Sequence, residues 1–311
     1  MLRFFSLRVF RALLTVTLVV TFAFVVLRMS ADPALIILGP EAPPEVIAAF
    51  RKSWGLDEPI WVQYVDYVAA IFRGELGRSM RDGRPAIELV AERIPATLAL
   101  TLPALALKIA IGIPAGIWAS LHRGTFVDRT VMAAAVAGFT VPSFVLGLVL
   151  VLIFSVQLGW LPSGGQDTWI HAILPIVTMG VGGAAVLARF TRSAMLEVLG
   201  QPYMRTASAK GLPWARAIRD HALPNAAIPT VTIVGFMVGT LIAGAVVVES
   251  VFSWPGVGRL LVVAVSNRDL AVVQCILLLV AATMVLSNLM VDFLYGFLDP
   301  RLAAGARAGG H

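Results

Sequence analysis

The chain has 311 residues, of which 59% are hydrophobic and only 14% charged, and its mean hydropathy is +0.87. That lies well beyond soluble globular usage and identifies a polytopic helical membrane protein. The net charge of +6 is read as loop charge that sets orientation; no basic and aromatic groove accompanies it, which excludes nucleic acid as a partner.

The N-terminus, MLRFFSLRVFR followed by ALLTVTLVVTFAFVVL, imitates a signal peptide. Its apolar region is long for one, and Met-Ser-Ala-Asp is a poor cleavage site, so an uncleaved first span is expected. Six transmembrane helices are predicted, near residues 10–27, 96–120, 131–157, 170–189, 226–248 and 270–298. A bilayer core of about 30 Å needs about 20 residues of helix. Proline recurs inside them, at Pro103 and Pro114 in the second, Pro142 in the third and Pro175 in the fourth. Spans tolerate this where neighbours satisfy the freed backbone groups. Gly235, Gly239 and Ala243 lie four apart in the fifth, on one face, which reads as a close helix–helix contact. The lone Cys275 stands in the last apolar run and can form no intrachain disulfide.

Basic residues set the orientation. Arg3, Arg8 and Arg11 precede the first span, and Arg123 and Arg129 separate the second and third. Arg189, Arg192, Arg205, Lys210, Arg216 and Arg219 follow the fourth, and Arg301 and Arg307 follow the last. The positive-inside rule puts all of these, and both termini, in the cytoplasm. Residues 30–95 then lie outside, with two amphipathic helices expected over 45–54 and 60–72. These either rest on the bundle or the membrane surface, or meet a partner.

The segment RTASAKGLPWARAIRDHALPN, residues 205–225, is polar and basic between long apolar runs. The fourth span is expected to run past Arg189 toward Leu199, where Gly200 and Pro202 interrupt it. A helix over 203–210 ends at Gly211, the residue suited to a left-handed C′ position, and a second over 214–221 ends before Pro224. Two short helices at an angle present a knob, with small Ala207 and Ala209 for close contact and Lys210, Arg216 and Arg219 at its rim. Such a knob can seat in a soluble partner and move the flanking spans. A solvated loop that only fixes orientation is the alternative.

Several stretches, in their joint order, carry a family resemblance over nearly the whole chain. They include GLDEPIWVQYVDYVAAIFRGELGRS (55–79), ERIPATLALTLPALALKIAIGIPAG (92–116), VPSFVLGLVLVLIFSVQLGWLPSGG (141–165), VVVESVFSWPGVGRLL (246–261) and DFLYGFLDPRL (292–302). The chain resembles the permease subunit of bacterial binding-protein-dependent ABC importers, in the peptide/nickel branch. The resemblance implies an all-α membrane protein with the type I importer fold and six transmembrane helices. It implies an N-terminal segment and first helix over 1–29, a periplasmic segment over 30–95, a permease core over 96–300 and a cytoplasmic tail over 301–311. In such importers the loop corresponding to 190–225 docks on the ATPase subunit. Carried over, its residues are Arg205, Thr206, Ala207, Lys210, Gly211, His221, Leu223 and Asn225. The superfamily pattern opens Glu-Ala-Ala where this chain has Arg205-Thr206-Ala207, a form that fits the peptide branch, and Gln201 is a poor helix cap. The implied partners are a second permease, two cytoplasmic ATPases, a periplasmic solute-binding protein and membrane lipid. No cofactor is implied in this subunit, since no G-x-x-x-x-G-K-[ST] run is present and ATP with Mg belongs to the partner ATPase. The implied substrates are di- or oligopeptides, with nickel complexes, glutathione and oligosaccharides as alternatives.

Five residues outside that loop are candidates for the pathway or a gate. Lys108 falls near the middle of the second span, where charge is costly. It lines a path, pairs with a carboxylate, or snorkels. Asp292, near the inner end of the sixth span, is expected to pair with a basic loop residue. Glu249, Trp254 and Arg259 lie after the fifth span, around Trp254-Pro255-Gly256, in a segment expected to return toward the path as an outer gate. Four scattered histidines, His122, His171, His221 and His311, have no metal-ligand spacing. A self-contained secondary transporter is the alternative function, and a membrane-embedded hydrolase lacks any catalytic constellation.

Overall fold

The computed structural model describes residues 2–30, 33–39 and 41–298. Among them the chain is helical, with one isolated bridge between Arg78 and Pro85 as the only extended pairing. In chain order the helices are α1 (Leu2–Ser30), α2 (Pro33–Leu38), α3 (Pro44–Ser53), α4 (Ile60–Phe72), α5 (Ala86–Ala91), α6 (Ile94–Leu121), α7 (Phe126–Thr140) and α8 (Ser143–Leu150). They continue with α9 (Ile173–Leu199), α10 (Pro202–Ala209), α11 (Trp214–Ala217), α12 (Leu223–Gly239), α13 (Val246–Val251), α14 (Val257–Ser266) and α15 (Leu270–Leu298).

Among the described residues four runs are long and apolar enough to cross a membrane: Ala86–Leu121, Trp169–Leu199, Trp214–Gly239 and Leu270–Val291. α1 contributes the apolar stretch Leu13–Val26. Pro103 and Pro114 sit inside an unbroken α6. The third predicted span, 131–157, is not one helix. α7 and α8 meet at a bend of 98°, and α8 runs on through π-helical turns over Val151–Gln157. Val141 at the break is extended (φ −74°, ψ 119°), the conformation that a following proline imposes. The fifth span also differs from its predicted 226–248. α12 stops at Gly239, and a turn and a 3-10 step over Ala243–Ala245 lead into α13. Its start is earlier than expected, because α11 passes through π turns over Ile218–Ala222 straight into α12. Pro224 therefore does not end the second loop helix. It sits inside the continuous helical run Trp214–Gly239, directly after the π turns that interrupt the regular hydrogen-bond ladder.

The chain forms two compact units. In the first, Met1–Thr97 with Pro255–Thr283, Phe24 of α1 packs on Tyr64 and Tyr67 of α4, with ring centroids 5.4 and 5.6 Å apart. The Thr21 and Tyr64 hydroxyls share a hydrogen bond of 2.7 Å. So α4, found at its predicted boundaries, has one face on α1, although Trp61, Val65 and Phe72 stay exposed. Asp269, just before α15, is buried and accepts the Ser79 hydroxyl. The Val257 N–H, opening α14, donates to the buried Thr97 hydroxyl at 2.8 Å.

In the second unit, Leu98–Trp254 with Met284–His311, α9 lies against α7, α8 and α12. Glycine sets how closely α6 approaches α9. A Cβ at Gly112 would fall 2.8 Å from the Ala184 carbonyl oxygen, and one at Gly116 2.5 Å from that of Ala188. The predicted small face of α12 is also a contact. Gly235 abuts Val291 and Gly239 abuts Ser287 of α15, and the Ser287 hydroxyl donates to the Gly235 carbonyl.

Candidate functional site

The loop over 190–225 folds as a helix, a tight bend and a second helix. Pro202 takes the first turn of α10, and Gln201 before it makes no side-chain cap. The end of α10 is a Schellman closure: the Gly211 N–H donates to Ser208 at 3.0 Å and the Leu212 N–H to Ala207 at 3.1 Å. Gly211 has φ +78°, with open space where a Cβ would stand, so backbone conformation alone selects glycine there. Pro213 then starts α11, accepting from the Arg216 and Ala217 N–H groups.

The underside of this knob is a small apolar core. Met204, Ala217, Ala222 and Ala226 bury themselves with Ala194 and Met195 of α9, and Ile117 and Leu121 of α6 pack against the cluster. The knob is thus fastened to the ends of three long helices. Of the eight loop residues singled out from sequence, Arg205, Thr206, Lys210, Gly211, His221 and Asn225 are exposed. Ala207 and Leu223 instead pack on the core beneath. The Asn225 amide donates to the His221 carbonyl at 2.7 Å, one turn back, where the proline and the π turns disturb the helical ladder. Sequence reasoning missed the two aromatic side chains on the outer surface, Tyr203 and Trp214, both exposed. The signal was present: each follows a proline at the start of its helix.

A second feature went unread. Asp128, buried at the start of α7, makes a bidentate pair with Arg192 of α9, at 2.6 and 2.7 Å. It also accepts the Gly124 N–H at 2.9 Å, while Thr125 caps the same helix. The run Thr125-Phe126-Val127-Asp128 is a capping pattern, which was the available clue.

Lys108 projects from α6 into a cavity of about 320 Å³. Its stem crosses α9 at Gly183, where a Cβ would stand 2.5 Å from the lysine Cε. Gly138, Gly182, Ser143, Thr178 and Thr240 share the wall. Among the described residues no carboxylate pairs with Lys108.

The segment after α12 behaves differently from its prediction. Glu249 is not on an outlying turn but fully buried within α13, and Phe252 and Trp254 are buried beside it. The turn begins at Ser253, whose φ of +52° closes α13 with the Trp254 N–H donating to the Glu249 carbonyl at 2.8 Å. The Gly165 N–H donates to the Phe252 carbonyl at 2.9 Å, which pins the loop after α8 to this turn. Arg259 lies in α14, in the other compact unit. Asp292 belongs to α15, but its side chain lies outside the described residues, as do Arg301 and Arg307.

Comparison with known proteins gives concordant matches along the chain. Residues 112–304 match the family model for the binding-protein-dependent transport system inner membrane component, and residues 1–101 match the model for the N-terminal part of such components. The glutathione transport system permease protein GsiC of Salmonella typhi is 45% identical over 289 residues, covering 93% of this chain and 94% of the relative. That of Escherichia coli is 44% identical over 284 residues, covering 91% and 92%. Among solved structures, an inward-facing MetNI methionine ABC transporter matches with a TM-score of 0.57 and 22% identity, over 68% of this chain and 97% of the other. A second crystal form gives 0.58. At that identity the likeness concerns the fold alone.

Proposed function

Because the chain belongs to the binding-protein-dependent transport system inner membrane components, as a permease subunit of the peptide/nickel type, we propose that it carries short peptides of the glutathione class across the inner membrane. It is a transport subunit, not an enzyme. The observation that carries the substrate reading is the match to glutathione permeases over more than nine-tenths of both chains. In this reading a solute-binding protein delivers the peptide to the outer face. This chain and a second permease enclose the path, and two ATPases with bound ATP and Mg drive it. Both termini lie in the cytoplasm, in keeping with the basic loops.

The knob of α10 and α11 is the ATPase-coupling element. Its outer surface carries Tyr203, Arg205, Lys210 and Trp214, and its inner surface is packed on the ends of α6, α9 and α12. A rigid body held this way transmits displacement of its socket to three helices at once. The Asp128–Arg192 pair ties the start of α7 to α9 in the same unit. The turn of Glu249 and Trp254 is the outer gate.

The test is uptake of radiolabelled glutathione by cells carrying the complete importer, with this gene deleted and restored. Restoration of uptake, abolished again by inactivating the companion ATPase, is the expected result. Uptake that ignores the deletion, while another solute depends on it, refutes the peptide reading. Uptake that persists without the ATPase favours the secondary transporter.

A further inference from the structure

We propose that Lys108 holds a carboxylate of the solute partway along its path. The inference rests on the peptide reading above and deepens it. Lys108 stands 14 residues from Ile94 and 13 from Leu121 in α6. At 1.5 Å per residue each end of the helix is about 20 Å away, far beyond the reach of a lysine side chain. Snorkelling therefore cannot explain it. A cation at that depth needs water, a counter-charge or both.

The surroundings are shaped for the stem rather than against it. Gly183 leaves room for the lysine methylenes to cross the backbone of α9, and any side chain there would collide with them. Gly182 and Gly138 also line the cavity, with a Cβ at Gly182 standing 3.6 Å from the Gly138 carbonyl oxygen. Gly183 thus admits the lysine stem, and Lys108 lines an open cavity of about 320 Å³. That volume is at the lower end for small-molecule sites. The hydroxyls of Thr178 and Thr240 donate within their own helices, to Leu174 at 2.7 Å and Met237 at 3.1 Å. Lys108 is thus the charged donor of the cavity, with three N–H groups and no carboxylate among the described residues to receive them.

A peptide supplies what the cavity lacks, since its terminal carboxylate is an anion of the right size. One cation in a partly open cavity holds such a group loosely, as transit requires. Lys108 is accordingly a binding residue of the path, not part of the coupling machinery.

The experiment uses the complete importer purified into proteoliposomes, with radiolabelled glutathione as the probe. It compares wild type with Lys108→Met and Lys108→Arg, and reads uptake, subunit ratio and thermal midpoint. The expected result is an uptake loss of about tenfold or more in Lys108→Met, the order of one charge-assisted contact, with most uptake kept in Lys108→Arg. The Met complex should keep its subunit ratio and melt no lower than wild type, since an unpaired buried cation has been removed. Lys108→Met uptake equal to wild type overturns the inference and leaves the peptide reading standing. A Met complex that melts lower or sheds its second permease also overturns it, because the lysine then pairs with a carboxylate of that subunit. A wild type that takes up no carboxylate-bearing peptide overturns both.

Discussion

Gly211 offers the sharpest test of the coupling knob, because space and backbone conformation are separable there. At φ +78° a residue with a Cβ is strained, yet nothing stands within 4 Å of where that Cβ would go. The cost of a substitution is therefore conformational only. It is about 1–2 kcal/mol for an ordinary residue, with β-branched side chains at the upper end. Asparagine is the exception, since its side chain tolerates the left-handed region. A penalty of 1–2 kcal/mol depopulates the bend by about 5–30-fold. When the bend opens, the Gly211 and Leu212 N–H bonds to Ser208 and Ala207 are lost and α11 no longer meets its socket at the same angle. Uptake by the assembled importer should fall about tenfold or more in Gly211→Val and severalfold in Gly211→Ala, but stay within about twofold in Gly211→Asn. Membrane insertion should be unchanged in all three. The assay is ATP-driven uptake normalised to the amount of complex. Equal activity of the Val, Ala and wild-type chains would sink the coupling role, and failure of Asn alongside Val would mean that the surface at Gly211 matters, not its backbone.

Three further outcomes are expected. Gly235→Leu should destabilise the purified chain by about 1–3 kcal/mol, the usual range for overpacking, because its side chain must displace Val291 of α15. Combining it with Val291→Ala should recover part of that loss in thermal melts, whereas strict additivity would deny the contact. Asp128→Asn should lower the melting temperature by the equivalent of about 1.5 kcal/mol, the lower end for a hydrogen bond to a charged group since Arg192 is partly exposed. Arg192→Lys should fall between, as lysine cannot make the bidentate pair, and an unchanged melt in both would remove the clamp. For orientation, a membrane-impermeant thiol reagent should label Asp82→Cys in intact cells and Ser208→Cys only after permeabilisation. The native Cys275 is buried and should stay silent. The reverse pattern would invert the topology.

Hydropathy and capping made much of the fold legible, and particular residues show where that stopped. α4 lies at its predicted boundaries and Gly211 ends α10 as expected, since both signals are local. Proline was the ambiguous one. Pro103 and Pro114 are absorbed in α6, whereas Pro142 separates α7 from α8 by 98°. Local propensity does not separate them, since Thr140-Val141 before Pro142 and Gly112-Ile113 before Pro114 are both poor helix formers, and nothing in the chain's spacing tells the two apart. At Pro224 the reading erred the other way, because π turns carried the helix through. The burial of Glu249 and the Asp128–Arg192 pair depend on contacts between distant segments, which no spacing in the chain records.

α9 connects the two proposed sites with no loop between them. Its run Met179-Gly180-Val181-Gly182-Gly183 has poor helix propensity, with each glycine costing about 1 kcal/mol relative to alanine. The structure accounts for two of these glycines on the α6 side, where Gly180 receives Leu107 and Gly183 receives the Lys108 stem. Three turns further on, Ala194 and Met195 of the same helix form the core under the knob. Gly183 and Met195 are 12 residues apart, about 18 Å of continuous helix. Between those points Gly112 and Gly116 bring α6 close onto the α9 backbone, at Ala184 and Ala188. In the proposed coupling, a displacement of the knob moves α9 as a rod, with α6 packed on it, and so reaches the wall around Lys108. The proposed coupling needs a rigid element shared by both sites, and α9, which runs unbroken from Ile173 to Leu199, is that element.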